Sequence, residues 1–371
     1  MKKILLLVCA VSLFACQSKK EKPEVESNDN IITEEVIQKE ILPDLESGEV
    51  FYKNKDPFGE TIELSGEQIE ADTVIFKVGE TEMIVKDDIL VVKNGGEHMF
   101  MFFQLPEFKF LGYGGKRGGG PDEFNFPELV PTTDPELLCY VLESTNQKLY
   151  SVNKNREIRL YDFPFTKAKQ QLFSDKQVIN IDPDDFVYVE TSDTGKSIFR
   201  SERIGDSISN REVYNLALNP KRKGWANYIG SFAAHPEQNR MVYAYKYFKI
   251  LKFMDLEAKT IKTINFEKEE FDESSNYRIN GMDENVTHYW KICGQEDYVY
   301  LLYSGRKPVE VMRDASKKDY YIYVEQYDWN GNPVRKYKLD QWGYFTVDEK
   351  NKVIYLTSTN HDDPFFVYHL P

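Results

Sequence analysis

The chain is expected to fold as an all-β, six-bladed β-propeller of four-stranded antiparallel blades, and three features of its 371 residues point there. The first is a recurring apolar strand core: Ile89–Val92 (ILVV), Leu138–Val141 (LCYV), Phe186–Val189 (FVYV), Met241–Ala244 (MVYA), Tyr298–Leu301 (YVYL) and Val353–Leu356 (VIYL). A strand covered on both faces reads as such a continuous apolar run. The first residues of these cores are 49, 48, 55, 57 and 55 positions apart. That period suits one four-stranded blade, whereas solenoid repeats are shorter and mostly helical or leucine-patterned. The second feature is a turn signal ahead of most cores, such as Asp182-Pro183-Asp184-Asp185, His235-Pro236-Glu237-Gln238-Asn239 and Asp348-Glu349-Lys350-Asn351. Asp, Asn and Pro there support the tight reversals of a meandering sheet. The third is 24 Tyr and 24 Phe, the residues that fill the space between packed sheet faces.

Taken in order, residues 1–15 stand outside the fold. Lys2 and Lys3 precede the apolar run Ile4–Phe14, which is too short to span a bilayer as a mature helix, so the segment reads as an export signal. The tetrad Leu13-Phe14-Ala15-Cys16 resembles the lipobox of bacterial lipoproteins, with Phe14 bulkier than usual, and implies a mature protein that starts at acylated Cys16. Additive burial of methylenes by more than one acyl chain would hold it stably in a lipid layer. Residues 16–48 are charged and poor in aromatics, as in QSKKEKPEVESNDN, and read as a disordered tether. Residues 49–371 are then assigned to the propeller. Near its start, Thr61–Leu64 and Thr73–Lys77 alternate like strands, and one of them is expected to complete the last blade beside Pro364–Leu370.

Gly112–Phe124 is the most distinctive segment. GGKRGGG suggests a phosphate loop, but that motif requires Lys followed by Ser or Thr at a helix start, and Pro121-Asp122-Glu123-Phe124 follows instead. Gly118, Gly120, Pro121, Glu123 and Phe124 are therefore read as a blade-to-blade connection. GGGPDEF resembles the G-x-G-P-[GD]-E-F signature of TolB-like six-bladed β-propeller lipoproteins of the Gram-negative envelope. The likeness extends to the lipobox, HPEQNRMVYA at His235–Ala244 and FTVDEKNKVIYL at Phe345–Leu356. Lys93 departs from it, standing where related propellers often carry Asp, and the first repeats are short. The resemblance implies a lipid-anchored propeller that serves as an interaction platform, a glycan or peptide binder, or occasionally a hydrolase or lactonase. Fold does not choose among these.

Composition narrows the choice. With 47 basic against 61 acidic residues the net charge is −14, which argues against nucleic acid and against electrostatic docking on anionic lipid. Cys9 leaves with the signal, so Cys139 and Cys293 are the remaining thiols; opposite sides of a ring lie beyond the roughly 7 Å reach of a disulfide, and both are expected free and buried. His98, His235, His288, His361 and His369 show no metal-ligand spacing, and no G-x-S-x-G occurs. No catalytic residue and no cofactor is assigned. The pairs Asp87-Asp88, Asp184-Asp185 and Asp362-Asp363 could hold calcium but fall at turns, where Asp is favoured for backbone reasons.

Two insertions carry the candidate binding surface. Leu218–Phe232 combines Lys221, Arg222, Trp225 and Tyr228, and Ser304–Asp319 supplies Arg306, Lys307 and Arg313. Basic and aromatic side chains together suit an anionic or sugar-bearing partner. The expectation is a non-enzymatic binding module for a protein, peptide or glycan, anchored in the cell envelope, with the outer membrane favoured. The alternative is a calcium-dependent hydrolase or lactonase.

Overall fold

The computed structural model describes residues 42–71, 76, 81–120, 123–165, 177–192, 195–219, 227–267 and 285–371. Six sheets lie around one axis, each beginning with an inner strand beside that of its neighbour. These inner strands are Met83–Lys86, Pro127–Val130, Gln177–Asp182, Gly230–His235, Thr287–Gly294 and Gly343–Asp348, for blades 1 to 6. Every apolar core read from the sequence falls in the second strand of a blade: Ile89–Lys93, Leu137–Glu143, Asp185–Ser192, Arg240–Tyr245, Tyr298–Arg306 and Val353–Ser358. The reason is packing. A second strand has a strand on each side and a neighbouring blade against each face, so both its alternating sets of side chains are buried; Leu90, Val141, Val187, Val242, Leu301 and Leu356 have at most 1% exposure.

Turn chemistry explains the reversals between first and second strands. Asp87 and Asp88 both have positive φ (50° and 58°), the conformation of a two-residue hairpin turn. Asp184 (59°), Asn239 (54°) and Lys352 (53°) take the same backbone region in blades 3, 4 and 6. The acidic pairs also tie blades together. Lys154 of blade 2 approaches Asp87 at 3.1 Å, and Lys350 of blade 6 approaches Asp88 at 2.7 Å. Arg200 holds Asp185 and also reaches Glu257 of blade 4.

The blades are not uniformly four-stranded. Gly48–Phe51 adds to blade 4 as a fifth strand, parallel to Ile261–Asn265, and Ile62–Leu64 adds to blade 5, parallel to Pro333–Leu339. Glu67–Ile69 then pairs antiparallel with Phe365–His369 and completes blade 6. The N-terminal segment is thus a belt around the rims of three blades. This corrects the expected closing strand, since Ile62–Leu64 serves blade 5 instead; residues 72–75 and 77 lie outside the described residues. It also moves the start of the fold before residue 49. Leu45 is buried with Phe58, Val242 and Trp329 between blades 4 and 5, and Arg240 donates to the Pro43 carbonyl at 2.6 Å.

Glu123–Phe124 lies parallel to the end of Lys109–Arg117, giving blade 1 a fifth strand before the chain drops into blade 2. Glu123 Oε2 accepts the Gly120 N–H at 2.9 Å, and a Cβ on Gly118 would stand 2.0 Å from that oxygen. Phe124, 1% exposed, wedges between blades with its ring edge-on to Phe100 (5.4 Å) and Tyr150 (4.9 Å). Gly118 and Gly120 thus cradle the Glu123 carboxylate while Gly119 stands in open space, and the connection ends in an aromatic wedge. Pro121 lies outside the described residues.

Both thiols are free. Cys139 is fully buried, and burial pushes its thiol up to about 12. Cys293 departs from expectation: it is only half-buried, because its strand lines the channel.

Candidate functional site

The six inner strands enclose a cavity of about 400 Å³ on the propeller axis. Its wall is closed by a hydrogen bond or sulfur contact at successive blade junctions. Lys86 Nζ donates to the Thr132 carbonyl (2.8 Å), Thr132 Oγ1 donates to Asn180 Oδ1 (2.7 Å), and Gln177 Nε2 donates to the Gly230 carbonyl (2.9 Å). Ser231 Oγ donates to the Trp290 carbonyl (3.4 Å), and Cys293 Sγ lies 3.7 Å from Thr346 Oγ1. These contacts satisfy polar groups that the inner strands would otherwise leave facing one another.

Among the charged side chains that line the channel together are Glu82, Glu128 and Lys291. Glu82, just before blade 1, takes Lys93 at 3.4 Å and, from blade 5, Lys291 at 3.7 Å, both through Oε1. Its Oε2 accepts the Leu129 N–H at 2.7 Å. Burial opposes the Glu82 charge, but the two ammonium groups and the Leu129 N–H prevail and hold the carboxyl below its ordinary range. Glu128, beside it on blade 2, accepts from Ser144 Oγ at 2.6 Å. Burial first, and then the Glu82 charge, push Glu128 up to about 8. The channel therefore sets a carboxyl held toward its ionised form beside one held toward its protonated form, with Lys291 reaching Glu82 from blade 5. Lys93, the departure from the family pattern, is the counter-charge of Glu82. Apolar walls from Val178, Phe232 and Ile292 complete the cavity.

Such a channel can recognise a small polar group on an apolar body: a neutral carboxyl donates, a carboxylate accepts, and a half-exposed ammonium pairs with an anion. Among the described residues, no three His, Cys, Asp or Glu side chains come together as a metal ligand set.

Of the binding residues singled out from sequence, those that are described, Tyr228, Arg306 and Arg313, do not line this site. Lys221, Arg222 and Trp225 lie outside the described residues, as does Cys16. The stem of their insertion is pinned by Asn227, whose Oδ1 accepts the Asn219 N–H (2.7 Å) while its Nδ2 donates back to the Asn219 carbonyl (3.0 Å). Tyr228 packs into the core between blades 3 and 4, and its carbonyl accepts from the Tyr243 hydroxyl. The second insertion is not a loop but contains a helix, Pro308–Ser316. Arg306, expected to face a partner, is 9% exposed. It stacks at 3.8 Å on the Tyr321 ring, donates to the Tyr321 carbonyl, and pairs with Asp314 at 3.1 Å, so it clamps the helix to blade 5. Arg313 lies on the outer side of that helix with its side chain 63% exposed. Glu82, Glu128 and Lys291 escaped sequence reading because they come from three blades and share no spacing.

A ring of six antiparallel-based blades around a central channel defines a six-bladed β-propeller. Its sequence matches the family described as TolB-like 6-blade propeller-like over residues 58–350, and the chain belongs to that family. The fold is similar to the crystal structure of a member of the DUF4221 family from Bacteroides vulgatus ATCC 8482, at 13% identity and TM-score 0.53, covering 83% of this chain and 98% of that one. It is also similar to an exported-protein candidate from Bacteroides fragilis NCTC 9343, at 11% identity and TM-score 0.53, covering 86% and 99%. No curated protein matches the chain in sequence. Among the described residues, no helix is long and apolar enough to cross a membrane.

Proposed function

We propose that this protein is a non-enzymatic binding module of the cell envelope, anchored through acylated Cys16, whose ligand enters the central channel. The observation that carries the reading is the cavity of about 400 Å³ into which Glu82, Glu128 and Lys291 converge from three blades. That volume admits a peptide end, a side chain or a single sugar ring, and excludes a folded domain. A protein, peptide or glycan partner would thus insert one group while the propeller rim makes the remaining contacts. Export is supported by the signal-like residues 1–15 and by the description of the Bacteroides fragilis relative as an exported-protein candidate. The net charge of −14 leaves membrane attachment to the lipid. A calcium-dependent hydrolase requires carboxylates gathered on the axis, and the paired Glu82 and Glu128 are instead engaged by lysines and Ser144.

The test compares wild type with Lys291→Glu, which places a like charge against Glu82 while leaving the blade cores untouched. Capture of the partner from solubilised envelope should fall by about tenfold or more, the loss of one charge-assisted contact plus the new repulsion. Unchanged capture by a folded Lys291→Glu protein removes the channel from the proposal. Cys16→Ala should shift the protein from the membrane to the soluble fraction, and retention in the membrane removes the anchor.

A further inference from the structure

The glycine-rich segment builds a second concavity, separate from the channel and on the outer rim where blade 1 meets blade 2. This groove, also about 400 Å³, is walled by His98, Tyr113, Lys116, Arg156 and Ile158 over the backbone of Gly114 and Gly115. None of the residues lining it is acidic, on a protein whose net charge is −14.

Each part of the groove has a physical cause. Gly114 and Gly115 leave its floor bare because Phe102 and Phe100 lie directly beneath; a Cβ would stand 2.8 Å and 2.9 Å from those rings. Tyr113 and His98, both lining the groove, stack on one another with ring centres 4.7 Å apart and planes 19° from parallel. Arg156 sits in the turn between the third and fourth strands of blade 2 with φ of 67°, an unusual conformation for arginine. Its Nη1 donates across the blade junction to the Leu111 carbonyl at 2.5 Å. That bond uses one of five guanidinium donors. Lys116, which also lines the groove, is exposed. The groove runs beside Lys109–Arg117, whose inner edge pairs with His98–Gln104 and whose outer edge, among the described residues, is paired only at Lys116 and Arg117.

We propose that this rim groove binds an acidic saccharide, one bearing a carboxylate or sulfate ester. Arg156 and Lys116 pair with the anionic group, an arrangement for which a planar guanidinium and a point-charge ammonium are both suited. The His98–Tyr113 pair provides a flat apolar surface for a sugar ring, and the strand edge presents backbone donors and acceptors to its hydroxyls. An open groove admits an internal unit of a chain, which an enclosed pocket does not. The proposal is independent of the channel.

Calorimetric titration of the full-length, detergent-solubilised protein with three probes tests it: a polyuronate hexasaccharide, a neutral hexasaccharide of the same linkage, and inorganic sulfate. The uronate should bind at least about tenfold more tightly than either of the others, and its affinity should fall as salt is raised. Lys116→Gln, on the surface, should weaken uronate binding by about three- to tenfold with the melting temperature held near wild type; Arg156→Asn, a residue that tolerates positive φ, should weaken it as much in a protein that stays folded but melts lower for want of the Leu111 bond. Lys291→Glu should leave it unchanged, which separates this site from the channel. Equal binding of neutral and acidic saccharide, binding of sulfate as tight as that of the uronate, or no effect of Lys116→Gln and Arg156→Asn together overturns the proposal.

Discussion

Glu128→Gln isolates the electrostatics of the channel. Glu128 is enclosed beside ionised Glu82, with Ser144 bonded to it and Lys93 and Lys291 both engaged by Glu82. Burial and the Glu82 charge raise it from 4.5 to about 8. Between those values the folded protein keeps a proton that the unfolded chain has released. The stability Glu128 contributes is therefore complete below about pH 4.5 and is lost as pH rises through about 8. At about 1.4 kcal/mol per pH unit the full interval corresponds to ~5 kcal/mol; because the carboxyl borders an open channel that solvent screens, we expect about half, ~2–3 kcal/mol. Glutamine keeps the shape and the acceptor for Ser144 but never ionises. In urea titrations, wild type and Glu128→Gln should unfold at matching midpoints near pH 5 and diverge toward about pH 9, where the variant is more stable by that amount. The difference between the two curves removes other groups that titrate in this range, such as Glu349 at about 7. Parallel curves across the whole range would refute the reasoning, because they would mean that Glu128 ionises in the folded protein as it does in the unfolded chain.

Two further outcomes test the parts of the fold on which the sites stand. Gly118→Ala brings a Cβ to 2.0 Å from Glu123 Oε2 and should destabilise by ~1–3 kcal/mol; Glu123→Ala in the same chain should recover part of that loss, and strict additivity of the two would rule out the contact as its cause. Phe58→Ala removes a ring that is 9% exposed and stands edge-on to Tyr327 at 5.2 Å, beside the Asp56–Lys336 pair at 2.8 Å, and should cost about 3 kcal/mol. Limited proteolysis should then cut within residues 42–66 well before the blades, whereas simultaneous cleavage everywhere would mean that the belt is not a separable element.

The second strands of all six blades were legible because both faces of those strands are buried, and a doubly buried strand writes itself as a run of apolar residues whatever its neighbours are. The turns were legible for a local reason as well: Asp87-Asp88 and Asp184 adopt backbone conformations for which their side chains are chosen. The belt was not. Gly48–Phe51, Ile62–Leu64 and Glu67–Ile69 are three or four residues each, half-exposed, and held by hydrogen bonds to strands some 200 to 300 positions away, so no periodic pattern marks them. Arg306 and Arg313 were grouped as one basic surface because they are neighbours in sequence, but Arg306 ends a strand and turns inward onto Tyr321, whereas Arg313 lies on the outer side of the helix that follows.

Local composition, then, determined the repeat, the blade number and the turns, because each depends on residues within one blade. Where the chain closes, which charges meet on the axis and which aromatic surface faces the rim groove were decided only when the six blades closed into a ring. Glu82, Glu128 and Lys291 are unremarkable as single positions; their chemistry comes from three blades bringing them to one channel, where burial and neighbouring charge act on the two carboxyls.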